Sequence, residues 1–161
     1  MLKKILSPKV CADCRLCCKF DCTDTWELPV ISKETAKAVM ENKPETRFIP
    51  IHDEMTFKAP PLSGDELFSC PALTDSGCGL QEHHKPFDCK IWPFRIMHDE
   101  KGNRFITVSE LCEGIKSFPD NELQNFLKEE NLSTIIFDFA KTHPSHVKPL
   151  TDGYRILIKE V

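Results

Sequence analysis

The sequence holds no apolar run approaching the roughly 18–20 residues that cross a bilayer, so no membrane span is predicted. It holds no basic excess either. Lys and Arg number 21 against 25 Asp and Glu, a formal net charge of −4, whereas binding a phosphate backbone requires a basic face. A nucleic-acid partner is therefore not expected. In the opening MLKKILSPKV, only Ile5 and Leu6 separate Lys3-Lys4 from Ser7-Pro8, too little for the apolar region of a signal peptide. Glycine-rich nucleotide loops, HExxH and the nucleophile elbow are missing, so no organic cofactor is indicated and no catalytic residue is assigned. No internal repeat or low-complexity segment is present. The expectation is a cytoplasmic protein forming one small domain over residues 1–161. With 40% hydrophobic residues, the chain is long enough to bury a core.

What the sequence has in abundance is cysteine. Residues 11–22, CADCRLCCKFDC, carry Cys11, Cys14, Cys17, Cys18 and Cys22. The chain total of nine is odd, which rules out a complete set of intrachain bridges. In a reducing compartment, a dense cysteine pattern points to metal binding rather than to a disulfide framework. A CxxC step lets two thiolates face one metal, as in zinc knuckles. A third thiol after another two-residue gap suits a cluster site, as in bacterial ferredoxins, although here Cys18 follows at once. Adjacent cysteines point in different directions, so Cys17 and Cys18 are expected to do different jobs. The spacing C-x3-C-x2-C of cluster-binding S-adenosylmethionine radical proteins is absent.

The second group is Cys70, Cys78, Cys89 and Cys112. Asp75-Ser76-Gly77 is a turn signal, which predicts Cys70 and Cys78 at the two ends of a hairpin-like loop. The fold expected around these residues is small α+β, with hairpins and helices organised around a cysteine-ligated metal. The cysteine string predicts a turn running into a short helix. Ser32 is placed to cap a helix that Pro44 ends. Hairpins are predicted over 47–58 and, more clearly, over 94–108 around a turn with Gly102 and Asn103. No cysteine follows Cys112, and residues 115–161 read as two helices (122–130 and 134–141, the second capped by Ser133) and a strand at 154–158.

The pattern CADCRLCC, then SCPALTDSGCGLQEHHKPFDCKIWPF, then LCEG, resembles the CxxCxxCC family of zinc- or iron-chelating domains over residues 11–114. The family pattern runs CxxCxxCC, Cys-Pro with a turn to Cys, Arg-Pro-x-x-Cys-Arg-x-[Tyr/Phe]-Pro and Cys-x-Gly. This chain departs from it in Lys85 and Lys90, where Arg is usual, and in Trp92, where Tyr or Phe is common. These changes keep the charge and the ring. The resemblance implies that Cys11, Cys14, Cys17, Cys18, Cys70, Cys78, Cys89 and Cys112 chelate metal. Cys22 and everything after Gly114 fall outside it. Some larger relatives, flagellin lysine methylases, look like iron–sulfur proteins that modify a lysine. That activity is not carried over to this shorter chain.

Eight thiolates admit two readings. They could hold one or two iron–sulfur clusters, four cysteines to each [4Fe–4S] or [2Fe–2S], with a cluster favoured by the close relay Cys11/Cys14/Cys17 and [4Fe–4S] the favoured type, in electron transfer, sensing or metal-dependent modification of a protein. Alternatively, four-thiolate zinc sites would make a structural module that presents a surface to a partner protein. His83 and His84 read as hydrogen-bonding or surface residues rather than ligands, and His52, His98, His143 and His146 as surface residues. Lys3-Lys4 reads as a solvated end. Trp92-Pro93-Phe94 is expected to pack as an apolar lid beside the metal.

Overall fold

The computed structural model of the chain describes residues 2, 4–21, 25–61, 63 and 66–161. The architecture is α+β, as predicted, and the chain divides into two compact units, Met1–Lys90 and Ile91–Val161. Among the described residues, no helix is long and apolar enough to cross a membrane. Cys22 and Lys3 lie outside the described residues.

Helix α1 (Pro8–Cys14) opens the first unit with proline in its first turn, where a missing N–H removes no intrahelical bond. It stops at Arg15, whose left-handed backbone (φ 53°) lets its N–H donate to the Cys11 carbonyl. Where the sequence predicts a turn leading into a helix, the helix comes first. A single 3₁₀ turn, Leu16–Cys18, and strand β1 (Lys19–Asp21) follow it. After β2 (Val30–Ile31), helix α2 (Lys33–Asn42) starts at the predicted cap, the Ser32 hydroxyl accepting from the Thr35 N–H at 3.1 Å.

Strands β3 (Phe48–Ile51) and β4 (Glu54–Phe57) form the predicted hairpin. Phe48 lies opposite Phe57, with ring centres 5.8 Å apart, and β2 adds to the far side of β4. Strand β5 (Leu67–Ser69) returns to pair antiparallel with β1, and β6 (Leu73–Thr74) pairs with β7 (Gly77–Cys78). Helix α3 (Phe87–Ile91) ends on the first residue of the second unit. Among the described residues of this unit, Phe20, Leu28, Ile31, Val39 and Phe57 belong to one apolar cluster.

The second unit is a four-stranded sheet with two helices. The predicted hairpin is β8 (Phe94–His98) and β9 (Arg104–Ser109). Its turn is held by the Asp99 carboxylate, which accepts from the Lys101 N–H, the Asn103 N–H and the Asn103 side-chain amide. Helices α4 (Asp120–Glu129) and α5 (Leu132–Thr142) follow. Asn131, with φ 55°, separates them, so the expected Ser133 cap is wrong and Ser133 lies inside α5. Strand β10 (Lys148–Pro149) adds parallel to β8, and β11 (Tyr154–Lys159) antiparallel to β9, giving the order β10-β8-β9-β11. The register of β11 shifts between Ile156 and Ile158, and the Gln124 side-chain amide of α4 donates to the Leu157 carbonyl at that point. Glu160 receives both prongs of the Arg104 guanidinium, at 2.5 and 2.9 Å. His146, expected at the surface, is 3% exposed, its ring edge-on to Phe139 at 4.9 Å.

Candidate metal centre

Six of the predicted ligands fall on neighbouring elements of the first unit. Cys11 and Cys14 are three residues apart on α1 and so share one face of the helix; both are exposed. The left-handed turn at Arg15 then swings the chain back, placing half-buried Cys17 and Cys18 in the 3₁₀ turn. Cys18 begins the β1–β5 ladder. Its carbonyl accepts from the Cys70 N–H at 2.7 Å, one step beyond the Lys19–Ser69 pair, so Cys18 and Cys70 are cross-strand neighbours.

The Cys70 carbonyl in turn accepts from the Leu73 N–H, and Leu73 pairs with Cys78 across the β6–β7 hairpin. The Asp75-Ser76-Gly77 turn is thus as predicted, but Leu73, not Cys70, is the residue opposite Cys78. Gly77, at φ 109°, adopts the backbone this tight turn requires. A Cβ built there would come within 3.7 Å of the Ala12 Cβ, so β7 lies directly against α1.

Arg15 ties these parts together, a role the sequence reading missed. Its Nε donates to the Ala12 carbonyl at 2.8 Å, and its guanidinium also donates to the Asp75 carbonyl, sixty residues on. The signal available in the sequence was a lone cation inside the thiol relay.

Cys70 is the most enclosed of the group, 9% exposed. Burial pushes its thiol up to about 11, because the thiolate loses hydration. The Ala72 backbone opposes this by hydrogen bonding, while nearby Cys78 and Cys17 raise the thiol further and Lys43 lowers it. Cys70 therefore lies within electrostatic reach of two other thiols. Cys18 packs on the apolar cluster that contains Cys70, and Cys17 is near enough to raise the Cys70 thiol.

Cys89 is exposed on α3, where its N–H donates to the Pro86 carbonyl. Its neighbour Asp88 is buried and accepts from the Val30 N–H at 3.0 Å. That anchor carries no signature in the sequence beyond an acid in an apolar setting. Cys112 belongs to the second unit, between β9 and α4, and its carbonyl accepts from the N–H groups of Ile115 and Lys116. Trp92 and Phe94 also lie in the second unit: the Arg95 guanidinium sits 5.3 Å over the Trp92 ring, and buried Phe94 stacks on Phe126. His83 and His84 stack on each other with ring centres 4.0 Å apart.

Among the described residues, no two cysteines form a disulfide, and no three Cys, His, Asp or Glu side chains converge as a metal-binding group. The donor set itself is all thiol and suits zinc or an iron–sulfur cluster. Among the described residues, six of these thiols lie on adjoining segments of the first unit, and no coordination shell is closed. No family model matches the chain, and no curated protein or solved structure matches it.

Proposed function

We propose that this chain is a cysteine-ligated metal protein of a reducing, cytoplasmic compartment, holding an iron–sulfur cluster of the [4Fe–4S] kind. Cys11, Cys14, Cys17, Cys18, Cys70 and Cys78 are the candidate ligands argued from placement, of which one cluster takes four; Cys89 and Cys112 rest on the resemblance to the CxxCxxCC family alone. The observation that carries the reading is the meeting at Cys70. Two chain segments more than fifty residues apart pair there through Cys18, with Cys17 and Cys78 in electrostatic reach. Burial disfavours the free Cys70 thiolate, and a bound cation would supply the compensating charge where water does not reach. The chain supplies the soft donors, and the apolar cluster behind Cys18 and Cys70 shields one side of the site from water. A bound cluster would supply one-electron chemistry, suited to electron transfer, sensing or modification of a protein side chain.

A structural zinc site is the second reading. It is favoured by the two-and-two arrangement of Cys11/Cys14 on one helix with Cys70/Cys78 beside a hairpin, the donor number of a closed tetrahedral site. Metal and acid-labile sulfide analysis on protein purified without oxygen separates the two. Iron with matching sulfide and visible absorption supports the cluster. Zinc without sulfide replaces it with the structural module, and neither metal in any preparation overturns both.

A further inference from the structure

On the first unit, a cleft of about 410 Å³ opens against the segment that carries Cys70, with Ser69 and Pro71 in its wall. That volume is in the range of small-molecule sites. Its rim is basic in a chain whose net charge is −4: Lys43, Arg47 and Lys58 converge on it, with Glu45 as the acid in the lining.

Each cation is placed by the backbone. Lys43 caps the C-terminus of α2, and the Thr46 N–H and hydroxyl both bond to its carbonyl, fixing the turn. The Lys58 N–H donates to the Arg47 carbonyl at 2.9 Å, extending the β3–β4 ladder by one pair and setting Arg47 directly opposite Lys58. Like charges at opposed positions on one ladder repel. Among the described residues, none of the three cations takes part in an ion pair. Beneath them the lining is apolar and aromatic, from Phe68, Pro60, Pro61 and Pro71.

We propose that this cleft binds a small anion carrying an apolar ring, an aromatic carboxylate or phosphate. Its charge would bridge Arg47 and Lys58, and its ring would lie on Phe68 and the prolines. The anion offsets the cross-strand repulsion, and the apolar floor selects the ring. The inference rests on the cleft alone and stands whichever metal, if any, the cysteines hold.

Titration calorimetry on the full chain, purified without oxygen, tests it with four probes: phenyl phosphate, benzoate, inorganic phosphate and benzylamine. The expected result is saturable binding of phenyl phosphate or benzoate, tighter than inorganic phosphate, with no binding of benzylamine. The stronger of the first two assigns the acid group. Arg47→Glu and Lys58→Glu should each weaken binding at least about tenfold. Lys101→Glu, the same charge change in the exposed β8–β9 turn, should leave binding unchanged. Arg47→Glu should also raise the melting temperature without ligand, since it turns a repulsive pair into an attractive one; this readout confirms that the variant folds. No binding of either aromatic anion overturns the proposal. So does equal binding of benzylamine, or affinity that falls as much in Lys101→Glu as in the cleft variants.

Discussion

Strand β9 buries five of its six residues, whereas β5 buries none of its three. That contrast runs through the two units. The second unit owns a continuous sheet whose central hairpin places Phe94, Ile96, Met97, Ile106 and Val108 out of water, under helices that add Leu123, Leu127 and Ile136. Among the described residues, the first unit spreads short strands over three separate sheets, and Cys70 is itself a buried member of its apolar cluster. A small core rarely stabilises a fold without a staple such as a metal. The difference teaches where the cysteines matter. Seven of the eight described lie in this unit, and Cys18 and Cys70 join segments distant in sequence.

If the cysteines hold metal as proposed, its removal should break the comparison most widely. Stripping metal anaerobically is expected to release the amides of residues 11–21 and 67–78 to near-unprotected hydrogen exchange while 94–98 and 104–109 stay protected. Exchange mass spectrometry reads both regions in one sample. Unchanged protection in both would mean that the cysteines do not hold the first unit together. The second largest effect belongs to the other unit. Leu123 is wholly buried, and Leu123→Ala should cost about 2–5 kcal/mol in the denaturant unfolding of that unit. Metal content should not change. A loss of metal in this variant would show that the two units do not keep their order separately.

Asp88→Ala is expected to come third. The Asp88 carboxylate is 5% exposed and holds the Val30 N–H, which is itself buried. Leaving that donor without an acceptor should cost about 1–3 kcal/mol, read as a shifted urea midpoint for the first unit. A shift below the error of the midpoint would mean that a water replaces the carboxylate.

The parts of this fold legible in the sequence are those with a local cause. The hairpin over 94–108 announced itself through its turn residues, and α2 through Ser32 and Pro44. The parts that were not legible depend on distant partners. Strands β1 and β5 are three residues each and start 48 residues apart, too short to show alternation, and their register is continued by the Cys18–Cys70 bond. His146 reads as a polar surface residue but is folded under Phe139. The cysteine spacing picked out the residues that gather in the first unit, yet nothing in it foretold that Arg15 would strap α1 to the Asp75 turn.

The smallest expected effect also separates the units, at the start of α2. The Ser32 hydroxyl accepts from the Thr35 N–H and lies 3.2 Å from the Thr35 hydroxyl, which donates to the His84 carbonyl at 2.8 Å. With the Thr35 proton committed to His84, the one Ser32 hydroxyl proton has two acceptors, the Thr35 oxygen and the Glu34 carboxylate, whose pKa is lowered by its own backbone N–H and by this hydroxyl. The Thr35 hydroxyl links the helix start to the Glu82–His84 turn. Ser32→Ala removes the cap acceptor and the Ser32 hydroxyl proton together and should cost about 1 kcal/mol in the first unit. Ser32→Asp restores the acceptor and places a negative charge at the helix N-terminus, but donates nothing to Thr35. It should recover most of the stability and leave the Thr35–His84 bond to hold the turn. Urea unfolding of the three proteins, followed through amides of α2, tests this. If Ser32→Ala matches the parent, the start of α2 is held by its packing alone. If Ser32→Asp is no better than Ser32→Ala, the hydroxyl's donated bond matters more than the cap.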